Sequence, residues 1–129
     1  MAPMRKVFIP ATRRTPEVHL KTGLIRFVGR SVPDDPGHFY QPLYKWVEEY
    51  SKKKTKKTKI ELDFEYINTA STKWLFNLLK LLGNKSELTD NLEISWYYEE
   101  GDDDMLELGN IFKSLIKGDF HLFKTKEVR

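Results

Sequence analysis

Cysteine is absent from this chain of 129 residues. Its absence excludes disulfides, thiolate zinc sites and cysteine nucleophiles, and it fits a reducing compartment. Long apolar runs are missing too: nothing approaches the roughly 20 residues of a membrane-spanning helix. Met1 to Arg14 carry no apolar core of a signal peptide. A cytoplasmic protein with no membrane partner is therefore expected. There is no glycine-rich phosphate loop and no Gly-x-Ser-x-Gly elbow. His19, His38 and His121 stand in separate stretches, none with a ligand partner at metal spacing. No cofactor, metal or catalytic residue is expected from them.

A large excess of either charge is lacking as well. The formal net charge is +3, small and largely local, with one basic and one acidic run. Lys52, Lys53, Lys54, Lys56, Lys57 and Lys59 form the basic one. No aromatics interleave with it, so a solvated loop is the simpler reading than a nucleic-acid surface. Glu99, Glu100, Asp102, Asp103 and Asp104 form the acidic one. Carboxylates suit hard cations, but this spacing does not match a calcium loop, and acidic residues also suit a helix N-terminus.

What is present is a globular pattern. The composition is 40% hydrophobic and 32% charged, with aromatics throughout, as suits one domain over residues 1–129 with a single core. Val7 to Ile9 is a short apolar stretch. Glu17 to Lys21 and Leu24 to Gly29 read as strands joined at Thr22-Gly23. Phe39, Leu43, Trp46, Val47 and Tyr50 recur at helical spacing. Ile60, Leu62, Phe64 and Tyr66 alternate with Glu61, Asp63 and Glu65, a strand with one wet or charge-paired face. A helix follows from about Ala70 to Leu82, with Leu75, Leu78, Leu79 and Leu82 on one face and Gly83-Asn84 as its stop. Leu92 to Tyr98 is a further strand. Asp102 to Asp104 open a third helix that turns Met105, Leu108, Ile111, Phe112 and Leu115 inward. Phe120 to Lys124 closes the pattern as a strand. Strand–helix–strand order implies right-handed parallel crossovers. The fold class is α/β: a mixed sheet of about five or six strands with three main helices largely on one face.

The most informative segment is Tyr66-Ile67-Asn68-Thr69-Ala70-Ser71-Thr72-Lys73. It sets hydroxyls at a strand-to-helix corner, where free backbone N–H groups and the positive end of a helix dipole lie. The ordinary reading is a helix cap, since Ser, Thr and Asn are preferred there. The functional reading is a phosphorylation site, because those same groups would hold a phosphate. On composition alone the cap has the better claim.

Four stretches shift that balance. They are Phe8-Ile9-Pro10-Ala11-Thr12 with Thr15-Pro16-Glu17-Val18; Gly29 to Pro36 with Phe39-Tyr40-Gln41-Pro42-Leu43; Tyr66 to Lys73; and Trp96-Tyr97-Tyr98-Glu99-Glu100 with Asp103 to Gly109. In this order they resemble the SiaC family of bacterial regulatory phosphoproteins. The resemblance implies a STAS-like fold and a partner switch without enzymatic activity. A protein kinase would add a phosphate, a protein phosphatase would remove it, and one form would bind a downstream protein. In the best-known case of the family that target is a diguanylate cyclase, which implies cyclic-di-GMP signalling. The acceptor implied is Thr69, the threonine after the asparagine. Ala70 stands where the family often carries serine, which leaves no second acceptor there. Asn68, Ser71 and Thr72 are expected to shape the corner and offer hydroxyls or N–H groups to the phosphate. Tyr66, Lys73 and Tyr98 are candidates for the docking surface. Two rival classes stay open. One is a small enzyme using Asp34, Asp35 and the acidic run. The other is a nucleic-acid module using the lysine run.

Overall fold

The structure, a computed structural model, describes residues 4–53, 57–84 and 91–126. Lys54 and Lys56 of the lysine run lie outside the described residues. Six strands form one sheet in sequence order: β1 (Val7–Ile9), β2 (Glu17–Lys21), β3 (Leu24–Ser31), β4 (Thr58–Ile67), β5 (Leu92–Glu99) and β6 (Asp119–Thr125). The first two pairings are antiparallel, with Gly23 at φ 89° turning β2 into β3. The remaining three are parallel. Among the described residues, three helices make the crossovers: α1 (Pro36–Ser51), α2 (Thr69–Gly83) and α3 (Asp103–Leu115). Each crossover steps to the next strand in one direction. Right-handedness therefore sets all three helices on the same sheet face.

That covered face is the core. Ile60, Leu62 and Phe64 of β4 and Leu92, Ile94 and Trp96 of β5 are buried on it. So are Leu43, Trp46, Val47 and Tyr50 of α1 and Leu75, Leu78, Leu79 and Leu82 of α2. The alternation of β4 exists because its other face holds Glu61 and Asp63, with Glu61 facing Arg26 of β3 at 3.8 Å. The buried tips of Tyr50 and Trp96 are hydrogen-bonded, as burial requires. The Tyr50 hydroxyl meets Thr58 Oγ1 at 2.6 Å and accepts the Gly23 amide. The Trp96 indole donates to the Met105 carbonyl at 3.0 Å. Gly109 packs α3 onto that indole: a Cβ there would lie 2.6 Å from Trp96 Cδ1 and Nε1.

Two expectations are corrected. Tyr66 does not continue the inward series of β4. The ladder with β3 slips beyond Gly29, so that Gly29 faces Phe64 but Arg30 faces Tyr66. This β-bulge spends Glu65 as an extra residue and flips the phase after it. Tyr66 is 53% exposed, and Ile67 turns inward instead. In α3, Met105 and Phe112 are buried as expected, but Ile111 and Leu115 are 47% and 58% exposed. Among the described residues α3 is the last helix on its side of the sheet, so only part of its apolar stripe finds a neighbour there.

Candidate functional site

The bulge aims the end of β4 into the start of α2. The Asn68 amide donates to the Ser31 carbonyl at 3.0 Å, adding one rung to the β3–β4 ladder. Asn68 then leaves the strand (φ −84°, ψ 171°) and caps the helix, its Oδ1 accepting the Ser71 amide at 2.9 Å. Its carbonyl accepts both the amide and the hydroxyl of Thr72, at 2.9 and 2.8 Å. One residue thus satisfies two of the first helical amides. The cap is Asn68 and none of the hydroxyls.

Beneath the corner lies a knot of three buried hydroxyls. Ser31 Oγ donates to Ser71 Oγ at 2.9 Å and meets the Tyr40 hydroxyl at 2.6 Å. With the Ser31 proton spent on Ser71, Tyr40 must be the donor to Ser31. Tyr40 is held in that neutral form. Burial pushes its pKa above the ordinary 10.0, although the Ser31 and Ser71 bonds pull the other way. The Trp74 ring of α2 stacks on Tyr40 with centroids 6.2 Å apart and planes 10° apart. β3, α1 and α2 are therefore tied to one another directly under Thr69.

Of the three hydroxyls on the first turn of α2, Ser71 is fully buried and committed to the knot. It does not face a phosphate, contrary to the expectation that it would. Thr72 is half-buried and bonded back to Asn68. Thr69, the first helical residue, is exposed, and its hydroxyl has no partner among the described residues. The amides of Thr69 and Ala70 likewise take no acceptor among them. Such orphan donors, with the dipole behind them, favour an anion. Lys73 lies one turn on, exposed and in no ion pair among the described residues. Tyr66 stands exposed just before the corner. Tyr98 is half-buried at the same end of β5, with no hydrogen bond or ring contact to the corner among the described residues.

The other candidate clusters are committed elsewhere. Asp102 caps α3 by accepting the Met105 amide at 3.0 Å, with Asp103 and Asp104 in the first turn. Asp35 caps α1 through the His38 amide, and Asp34 pairs with Arg14 at 2.5 Å. Lys57 and Lys59 sit at the start of β4, the opposite edge of the sheet from Thr69. A ten-residue strand separates them, about 30 Å of chain. Lys57 pairs with Glu93 at 2.8 Å, which lowers the Glu93 pKa and raises that of Lys57.

Ser31 and Tyr40 were not singled out from the sequence. Both lie in stretches that carry the family resemblance, but no spacing pattern ties residue 31 to residue 71. Only the parallel register of β3 and β4 does so.

Among the described residues no helix is long and apolar enough to cross a membrane. The chain is 24% identical over 112 residues to an uncharacterised protein of Pseudomonas aeruginosa (strain UCBPP-PA14), covering 85% of this chain and 89% of that one. Its fold matches the solved structure of SiaC of Pseudomonas aeruginosa with a TM-score of 0.83 at 22% identity, over 95% of this chain and all of that one. It matches equally well, at 0.83 and 22%, a chain in the crystal structure of the diguanylate cyclase SiaD in complex with its activator SiaC, covering 92% of this chain and 99% of that one. The family model for the SiaC family regulatory phosphoprotein matches residues 9–125, nearly the whole chain. This chain belongs to the SiaC family.

Proposed function

We propose that this chain is a cytoplasmic, non-enzymatic partner-switch protein controlled by phosphorylation of Thr69. A protein kinase transfers a phosphoryl group from a nucleoside triphosphate to Thr69 Oγ1, and a protein phosphatase hydrolyses it off. One of the two forms docks on a downstream protein, a diguanylate cyclase, and so feeds cyclic-di-GMP signalling. One observation carries the choice of residue: Thr69 has the only hydroxyl on the first turn of α2 that is both exposed and uncommitted among the described residues. The relative SiaC, described as the activator of a cyclase, supports the choice of target.

The corner suits such a switch on electrostatic grounds. A phosphate brings a charge of about −1.5 to −2. It would meet the free amides of Thr69 and Ala70 and, at i+4 spacing, the Lys73 ammonium. The Lys73 cation would be masked and a dianion added near Asp102, Asp103 and Asp104. The surface then changes sign locally while Asn68 and the hydroxyl knot keep their bonds. The docking surface comprises Tyr66, Lys73 and Tyr98 around the corner.

The test is phosphate mapping after incubation with the cognate kinase. One phosphate on Thr69 is expected, absent from Thr69→Ala. A phosphate found on Thr72 or Ser71 alone would sink the assignment.

A further inference from the structure

The two edges of the sheet are unlike. β1 is three residues long and runs into Pro10, the kind of short edge that discourages further pairing. β6 has no such defence. It is seven residues long, has neither proline nor glycine, and keeps an unbroken register with β5 from Asp119 to Thr125. Phe120, Phe123 and Thr125 favour the strand. Its charges are already paired within the chain: His121 Nε2 lies 2.7 Å from Asp119 Oδ1, and Lys124 Nζ lies 3.8 Å from Glu100 Oε1. Among the described residues no strand pairs with its outer side.

The backbone groups left open on that side can be assigned. The Thr125 carbonyl accepts the Glu100 amide at 2.8 Å, so it points toward β5. Strand backbone alternates, so Asp119, His121 and Phe123 also point toward β5. Phe120, Leu122 and Lys124 turn their N–H and C=O groups outward. The side chains of His121 and Phe123 stand on the sheet face that the helices leave open. Tyr97 of β5 stacks on Phe123 with centroids 5.5 Å apart, and the His121 ring is 6.2 Å from Phe123. Phe123 is nevertheless 44% exposed.

We infer that a second copy of this chain pairs with β6 edge to edge and antiparallel, about a two-fold axis at Leu122, joining two sheets into one. Leu122 then faces Leu122 of the second copy, and Phe120 faces Lys124. All three outward residues of each copy exchange both of their main-chain groups. Between these pairs, at the closer positions about 4.5 Å apart at Cα, His121 of each copy faces Phe123 of the other. The ring cluster of Tyr97, Phe123 and His121 in one copy thus continues into that of the other. Asp119 faces Thr125, and no like charges are opposed. A register shifted by two residues either way leaves one outward residue of each copy without a strand partner. It also sets His121 on His121 or Phe123 on Phe123. A shift by one would oppose outward groups to inward ones. The strand therefore complements itself, and in one register. A foreign strand meets the same main-chain groups, but β6 itself returns His121 for Phe123 and Phe123 for His121 together. The Thr69 corner follows β4, two strands away in the sheet, so this pairing does not rest on the switch.

The test is sedimentation of the full chain over about 10–500 μM, the range that a small interface calls for. The mass is expected to rise toward twice the 15.3 kDa of one chain. Lys124→Pro removes an outward amide and leaves the ladder to β5 intact. Phe123→Lys removes a ring and sets a cation against His121. Each should weaken association at least about tenfold. Both side chains are exposed, so the variants should remain folded monomers by circular dichroism. Disulfide trapping reads the register, since the chain has no cysteine of its own. In an oxidised mixture of His121→Cys and Phe123→Cys proteins, the mixed disulfide should outrun either homodisulfide. Those two positions meet at a Cα separation of about 4.5 Å, which a disulfide spans. A chain that stays monomeric throughout the range overturns the inference. So does a dimer indifferent to both variants, or one in which a homodisulfide dominates.

Discussion

Asn68, Thr69 and Ser71 are three neighbours with three separable roles, and alanine at each should separate stability from modification. Asn68→Ala removes the oxygen that caps the Ser71 amide, which costs about 1 kcal/mol. For 129 residues, an unfolding entropy of about 0.27 kcal/mol/K turns that into a fall of about 4 °C in melting temperature. Ser71→Ala deletes a fully buried hydroxyl and leaves the Ser31 proton without its acceptor, at a cost of about 1–3 kcal/mol. Its melting point should fall at least as far. Thr69→Ala touches an exposed, unbonded hydroxyl at the first helical position. Its change should stay within about 0.5 kcal/mol, or 2 °C. Modification should run the other way: only Thr69→Ala abolishes phosphorylation outright. The assays are thermal denaturation followed by circular dichroism and kinase labelling of the same three proteins. If Thr69→Ala loses as much stability as Asn68→Ala, the cap is wrongly assigned. If it still takes phosphate at the corner, so is the acceptor.

Gly109→Ala should destabilise by about 1–3 kcal/mol, because the added Cβ has no room against Trp96 and Leu122; an unchanged melting point would contradict that packing. Tyr40 should stay protonated in alkaline titration beyond its ordinary value of 10.0. A raised acid contributes its stability below the ordinary pKa and loses it as pH climbs through the folded one, so the protein should weaken above pH ~10. Tyr40→Phe should remove that component of the pH dependence, and a Tyr40 that ionises with the exposed tyrosines would refute the burial argument. Neutralising Lys52, Lys53 and Lys57, at the far edge of the sheet, should leave partner affinity within about twofold, since exposed charges away from a site change little; a large loss would move the docking surface to that edge.

Most of the architecture was legible because its signals are local. β4 alternates cleanly from Ile60 to Phe64, the leucines of α2 keep helical spacing, and right-handed crossovers then fix the helices on one face. The failures share a cause: they depend on which element lies alongside. Tyr66 flips outward because Gly29 on the neighbouring strand sets a bulge. Ile111 and Leu115 have the spacing of core residues, but among the described residues no helix lies on the outer side of α3 to bury them. At the site, the residues near Thr69 were legible and their division of labour was not. Asn, Ser and Thr are all good caps, and only the geometry separates the cap, Asn68, from the buried Ser71 and the open Thr69.

The central claim is that a phosphate on Thr69 changes what binds this domain while leaving its fold alone. The direct measurement is calorimetric titration of a SiaD-type diguanylate cyclase from the same genome with unmodified and with Thr69-phosphorylated protein, alongside amide spectra of both forms. The affinities should differ by at least about tenfold, or 1.4 kcal/mol, with spectral changes confined to the start of α2 and its neighbours. Equal affinities would contradict the switch, and changes spread over the whole sheet would contradict its local electrostatic mechanism.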